Sequence, residues 1–339
     1  MKKERITIND IARALNISKS TVSRALRDKH DISPGTRKKV LEYASRYDYT
    51  PHYVARSLRS KSTRTIGVIV PAYNIPFYSI AICGIQDYAM KQGYNVMVCH
   101  SSEQYEVEKH NVDALLAAGV EGIIISVARN TELNEHVGKL KRKGIPLVMF
   151  NRVIEQFKAA KVVVDDYYGA REMVRYLIRT GCRHVAHISG PVNIALSLNR
   201  KQGYIDALEE AGIRFDPVMV VDADFTIDSG MKGMSALLNL DREIDAVFCV
   251  CDAVAFGAMK VIKRKGFRIP ADISVAGFTN EPMCEMTDPT LTTVKQPIYE
   301  IGESASRLLF SQLRDPDIPA EHCILNTGLE IRESTRKLP

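Results

Sequence analysis

Apolar residues recur with two different periods along the 339-residue chain. Before residue 65 they return every three to four positions. Ile8, Ile11, Ala12 and Leu15 form one stripe of a short helix, opened by Thr7 with Asp10 three residues on, the pattern of a capping box. Asn16 closes that helix, because asparagine tolerates the left-handed backbone of a tight turn. Ser18 caps a second helix whose Val22, Ala25 and Leu26 face inward, and Ser33-Pro34 opens a third. Val40, Leu41, Ala44 and Tyr47 are expected to close that third helix over the first two. The pattern predicts a helix-turn-helix inside a three-helix unit.

From Thr65 onward the pattern changes. TIGVIVP, NVMVCHS, EGIIISV, PLVMFN and KVVVDD are short apolar runs suited to strands buried on both faces. HVAHISG, VMVVDADF, AVFCVCD and SVAGFTN follow at similar spacing, each separated by a helix-like stretch. This alternation predicts doubly wound parallel sheets, and the length accommodates two in tandem. No GxGxxG or Walker loop follows any strand, which weakens a nucleotide-enzyme reading.

Charge sharpens the division. Residues 1–64 carry 16 Lys and Arg against 6 Asp and Glu, a net +10, whereas the remainder is −4. A basic excess confined to a small helical unit is the electrostatic footprint expected for phosphates. Lys19, Ser20, Ser23, Arg24 and Arg27 are left on the outer face of the second helix as cations and hydroxyls, suited to phosphates and base edges. Thr50-Pro51 then opens HYVARSLRS, room for about two helical turns and below the ~12–15 residues an isolated helix needs. Such a segment should order only against a partner. Ala55 permits close approach of a twin helix, and Leu58, flanked by Arg56 and Arg59, is shaped to wedge a minor-groove base step. SKSTR reads as a tether. No long apolar run and no signal-peptide core are present, so a cytoplasmic protein without membrane contact is expected. Seven cysteines without a CxxC pair suit reduced thiols, and neither a metal site nor a cofactor is expected.

TINDIARALNISKSTVSRAL, SPGTRKKV, YDYTPHYVARSLRS and TRTIGVIVP together resemble the lactose-repressor family of bacterial transcription factors. The resemblance implies a helix-turn-helix headpiece over 1–49, a hinge over 50–64 and an effector-binding, dimerising region over 65–339. It implies two lobes of periplasmic-binding-protein type, about 65–163 with 290–324 and 164–289 with 325–339, crossed near Val163, Pro289 and Leu325. Lys19 and Ser20 would choose base pairs, with Arg24 one turn on. Thr7, Ser18, Thr21, Ser23, Arg27 and Thr36 complete the expected headpiece contacts, and Ala55, Arg56, Leu58 and Arg59 those of the hinge. Arg27 stands where family members usually carry asparagine.

Ligands of such sheets sit beyond the carboxyl ends of the strands. Phe77 and Tyr78 are candidates for stacking, although one of the two serves packing equally well. Asn151, Arg152, Arg200 and Phe225 are further candidates. Asp252 is as much a helix cap as a ligand. Thr279 and Asn280 stand where sugar- and purine-binding members usually carry an aspartate, and Ile194 and Leu196 replace positions that are often polar. A less charged, more apolar pocket is implied. Asp165 and Asp166 point to opposite faces, no HExxH or GxSxG is present, and His184 and His187 read as packed or half-exposed; no enzyme is expected. The expected function is a homodimeric regulator, acting as a repressor, on a palindromic DNA operator, controlled by a sugar or related effector. The alternatives are a solute receptor for transport and a DNA-binding protein without effector control.

Overall fold

The computed structural model describes residues 6–26, 32–49, 62–131 and 135–338. The chain separates into two units, Met1–Arg64 and Thr65–Pro339.

In the first unit, helices α1 (Ile8–Ala14), α2 (Lys19–Ala25) and α3 (Pro34–Arg46) bury Ile11, Ala12, Val22, Ala25, Val40 and Ala44. The Asp10 carboxylate accepts both the N–H and the hydroxyl of Thr7, at 2.8 and 2.7 Å, which holds it below the usual carboxylate range. Asn16 takes a φ of 51°, the left-handed turn between α1 and α2. Ser18 caps α2 by accepting the Thr21 N–H at 3.1 Å, and Ser33 caps α3 by accepting that of Thr36. The third stripe differs from expectation. Leu41 and Tyr47 are exposed, and Tyr43 packs on the core instead, with the Tyr47 ring against its outer side. Val40, Tyr43 and Ala44 lie on one face of a 3.6-residue period, and Leu41 falls about 100° away from Val40.

The second unit holds two six-stranded sheets. Strands β1 (Thr65–Val70), β2 (Asn95–His100), β3 (Ile123–Ile125), β4 (Leu147–Phe150), β5 (Ala160–Val164) and β11 (His322–Leu325) make the first, in the order β11-β5-β4-β3-β1-β2, all parallel. Strands β6 (Val185–Ser189), β7 (Val220–Asp222), β8 (Ala246–Cys249), β9 (Ser274–Thr279), β10 (Thr292–Lys295) and β12 (Gly328–Glu330) make the second, in the order β12-β10-β9-β8-β6-β7, with only β12 antiparallel.

Each sheet is sandwiched between helices. On the first, α4 (Pro76–Lys91) and α11 (Ile298–Arg314) cover one face, and α5 (Tyr105–Ala117) and α6 (Glu135–Arg142) the other. On the second, α7 (Asp166–Arg179) and α8 (Ala195–Glu210) cover one face, and α9 (Ile227–Leu238) and α10 (Asp252–Arg264) the other. Gly84 and Gly302 bring α4 and α11 into backbone contact, because a Cβ on either would fall inside the other helix's main chain.

The chain passes between sheets after β5, after β10 and after β11. The second passage corrects the expectation at Pro289. Residues 292–295 pair with β9 from Thr292 to Lys295, so the chain leaves this lobe only at Gln296-Pro297. A short, half-polar TTVK run gives little periodic signal, and the two flanking strands decide its place. β2 is likewise not buried on both faces: as an edge strand it exposes Met97. His187 is fully buried in β6, stacked between Tyr204 and Phe248, while His184 is half-exposed beside Glu243.

Candidate functional site

In the helical unit, Lys19, Ser20 and Arg24 stand on the exposed side of α2, and Thr21 and Thr36 are half-buried. The Ser18 hydroxyl gathers its neighbours, lying 2.6 Å from the Ser20 hydroxyl, 2.8 Å from that of Thr21 and 3.1 Å from the Thr21 N–H. Ser18 and Thr7 are thus helix-start residues whose hydroxyls are engaged locally. Ser23 corrects its expectation, being 8 % exposed and turned toward the core. One turn of α2 brings it near the Val22–Ala25 face, and a small hydroxyl is tolerated there. Arg27, Ala55, Arg56, Leu58 and Arg59, with residues 50–61 of the hinge, lie outside the described residues.

Between the two sheets of the second unit lies a cleft of about 550 Å³. The chain after β1 supplies Phe77 and Tyr78; the end of β4 supplies Asn151 and Arg152. From the other lobe come Leu196, Arg200, Phe225, Thr279 and the start of α10. These are strand ends and helix starts, where doubly wound sheets leave backbone groups free for ligands. Two strand ends are locally strained: Asn151 has φ 58°, and Thr279 and Asn280 have φ 137° and 65°. Non-glycine residues held there are common in ligand sites.

The aromatic pair divides its work. Phe77 packs edge-on against Tyr78, with ring centroids 5.3 Å apart. Tyr78 is 2 % exposed, its hydroxyl 3.3 Å from that of Ser126 and accepting the Asn151 amide at 3.2 Å. Tyr78 is therefore a wall and positioning residue, and burial pushes its phenol up. Arg152 donates to both Glu103 oxygens at 2.8 Å and lies 4.9 Å from the centroid of Phe225, reaching across the cleft. Arg129 makes a second crossing, pairing with Asp224, while its carbonyl accepts the Asn193 amide at 2.8 Å.

Arg200 does not present a free fork. It donates to Asp166 at 2.7–2.8 Å and to the Val250 carbonyl at 2.6 Å, and its guanidinium lies 3.5 Å from the Phe278 centroid. Asp165 caps α7 through the Tyr168 N–H. Two expected ligand residues fall outside the lining. Asp252 is fully buried and accepts the Thr293 hydroxyl at 2.5 Å and the Glu281 N–H at 2.8 Å, tying α10 to the β9–β10 connection. Asn280 turns away and accepts from Arg332 at 2.9 Å. In both cases a partner distant in sequence decides the direction.

The lining also includes residues that the sequence reading passed over: Glu103, Arg129, Phe256, Glu281 and Gln296. Phe256 sits one turn into the helix after AVFCVCD, a placement the rule that found Phe77 covers equally. Glu281 is two residues beyond Thr279, on the same strand-end turn. Nothing in the sequence marks Glu103 or Gln296. A second cavity of about 540 Å³ shares Arg129, Asn151 and Arg152 and runs past Asp165 and Asn199 to His322 and Ile324. It lacks the aromatic walls of the first. Among the described residues no group of three or more acidic, histidine or cysteine side chains is placed to hold a metal, and no helix is long and apolar enough to cross a membrane.

Comparison with known proteins joins these two units. Residues 7–52 match the model of bacterial regulatory proteins of the lacI family, and residues 174–335 that of a periplasmic binding protein-like domain. The HTH-type transcriptional repressor CytR of Escherichia coli (strain K12) is 35% identical over 336 residues, 98% of this chain and 97% of that protein. The structure of the lac repressor dimer bound to operator and the anti-inducer ONPF superposes with a TM-score of 0.89 at 26% identity, covering 98% of this chain and 100% of that one. A CelR–cellobiose complex, a transcriptional regulator, has a TM-score of 0.75 at 28% identity over 97% of this chain and 100% of that one. The similar proteins are regulators and not enzymes. With a helix-turn-helix unit followed by two periplasmic-binding-protein-like lobes, this chain belongs to the lacI family and is a DNA-binding transcriptional repressor.

Proposed function

We propose that the protein works as a homodimer on a palindromic operator, with its DNA affinity set by a small molecule, a sugar or sugar derivative, bound between the two lobes. The observation that carries this reading is the interlobe cleft of about 550 Å³, whose walls combine phenylalanine faces with buried hydrogen-bonding groups. The lac repressor dimer on its operator and the cellobiose complex of CelR support both halves of the proposal. Lys19, Ser20 and Arg24 of each headpiece would read one half-site, and the hinge helices would meet at the centre, where Leu58 enters a base step. Because both lobes contact the ligand, binding favours one closure angle. The coupling to DNA is of the order of 1–3 kcal/mol in such systems.

Two measurements test the reading. In mobility-shift titrations on a selected palindrome and on random DNA, Leu58→Ala should weaken palindrome binding at least tenfold more (about 1.4 kcal/mol) than random binding. Equal losses on both would remove the wedge role. Repeating the palindrome titration with sugars should change the affinity by about fivefold or more for a ligand that also raises the melting temperature. A ligand that stabilises the protein and leaves DNA affinity unchanged would contradict effector control.

A further inference from the structure

Every cation in the cleft wall is already neutralised by a carboxylate of the protein. Among the described residues the lining holds three: Arg129 pairs with Asp224, Arg152 with Glu103 and Arg200 with Asp166. The last two guanidiniums are 6 % and 3 % exposed, and each has further contacts, Arg152 with the Phe225 ring and Arg200 with the Val250 carbonyl and the Phe278 ring. Arg200 has all three of its nitrogens engaged, and a phosphate or carboxylate at Arg129 or Arg152 would have to share the guanidinium with the carboxylate already beside it, whereas strong anion recognition relies on a fork given over to the ligand.

The acceptors are in the opposite condition. Glu281 lines the cleft, is 8 % exposed, and has the Asp252 carboxylate as its charged neighbour. Its own N–H is donated to Asp252, which fixes the turn and leaves the side chain to the cleft. Gln296 is 6 % exposed, donates its amide to the Thr279 hydroxyl at 3.2 Å, and buries its Oε1 without a partner. A buried acceptor without a partner is costly, and a donor supplied by a ligand removes that cost. Phe77, Phe225 and Phe256 add flat apolar walls.

Resting on the effector reading above, we infer that the cleft takes an uncharged ligand, rich in hydroxyl groups and with an apolar face, and that Glu281 and Gln296 Oε1 are the acceptors that select it over anionic counterparts. An anion placed there faces Glu281 with Asp252 behind it and finds no cation that is not already paired. Burial and Asp252 push Glu281 up to about 7, in keeping with a carboxyl group that no cation compensates. Thr279, in place of an aspartate, donates no charge, and Glu281 supplies the carboxyl group from the same turn.

Calorimetry on the full chain tests this with matched probes: ribose, glucose, cellobiose and cytidine against ribose 5-phosphate, glucose 6-phosphate, cellobionate and cytidine 5′-monophosphate. At least one neutral probe should bind, its anionic counterpart about tenfold or more weakly, and Glu281→Ala and Gln296→Leu should each weaken the neutral probe about tenfold. Glu281→Gln, isosteric and uncharged, should narrow the gap between neutral and anionic probes. An anionic probe binding as tightly as its counterpart overturns the inference. So does neutral affinity unchanged in both truncated variants, or no binding by any neutral probe. The effector reading is judged separately by DNA affinity. An anionic ligand that shifts operator binding sinks this inference alone, and a neutral ligand that binds without shifting it sinks effector control alone.

Discussion

Two buried titratable side chains in the second lobe pull stability in opposite directions with pH. His187, stacked between Tyr204 and Phe248 with its Nδ1 2.8 Å from the Phe248 carbonyl, is held down to about 4 by burial. Above pH 6.5 it is neutral folded and unfolded and contributes nothing. As pH falls from 6.5 toward 4, only the unfolded chain takes the proton, and stability is lost. Glu281, pushed up to about 7, behaves conversely. Its contribution is most favourable below the unfolded value of about 4.5, and stability is lost as pH rises from there through 7. Each effect amounts to about 3 kcal/mol at its limit. His187→Phe should therefore lose less stability than the parent between pH 6.5 and 4.5, and Glu281→Gln should lose more over the same range. Urea titrations at the two pH values measure the difference; parallel losses in all three proteins would contradict it.

At the scale of elements, the helix pair α4–α11 is the tightest joint of the first lobe. Gly302 lies against the Ala81 carbonyl and Gly84 against that of Tyr299, so the two backbones touch without side chains between them. A methyl group at either site meets main chain, which cannot rotate away as a side chain can. Gly302→Ala should cost about 3 kcal/mol despite the better helix propensity of alanine. A thermal or urea midpoint equal to the parent would show that the helices part easily. The same comparison of elements explains the shift of the second crossing. β10 is short and partly polar, yet it is flanked by β9 on one side and β12 on the other, and this pairing fixes its lobe.

For the whole molecule, the cleft is spanned by Arg129–Asp224, by Asn193 to the Arg129 carbonyl, and by Arg152 over Phe225. These contacts hold the two lobes against each other across the cleft. Asp224 is half-exposed, so the pair is worth only about 0–1 kcal/mol. Asp224→Ala should therefore weaken a cleft ligand by about fivefold or less while leaving the melting temperature of the free protein nearly unchanged. A loss a hundred times greater would mean that this one pair governs closure. A weak tie suits a regulator, because a ligand then needs only a few kcal/mol of differential affinity to move the equilibrium.

The pattern of the chain was enough for the two units, the caps of α1, α2 and α3, the turn at Asn16 and nine of the strands. Those features depend on neighbours three or four residues away, or on runs of apolar residues that have no other way to be buried. The cleft lining was legible where a strand end or the opening turns of the next helix carry the side chain, as at Phe77, Asn151, Arg200 and Phe225. Which groups are free to meet a ligand was settled by partners far apart in sequence. Arg200 is occupied by Asp166, Asp252 by Thr293, and Asn280 by Arg332, while Gln296 is left with an unpartnered oxygen. A sequence specifies the donors and acceptors it owns. Only the packed fold decides which of them satisfy one another and which remain for something else.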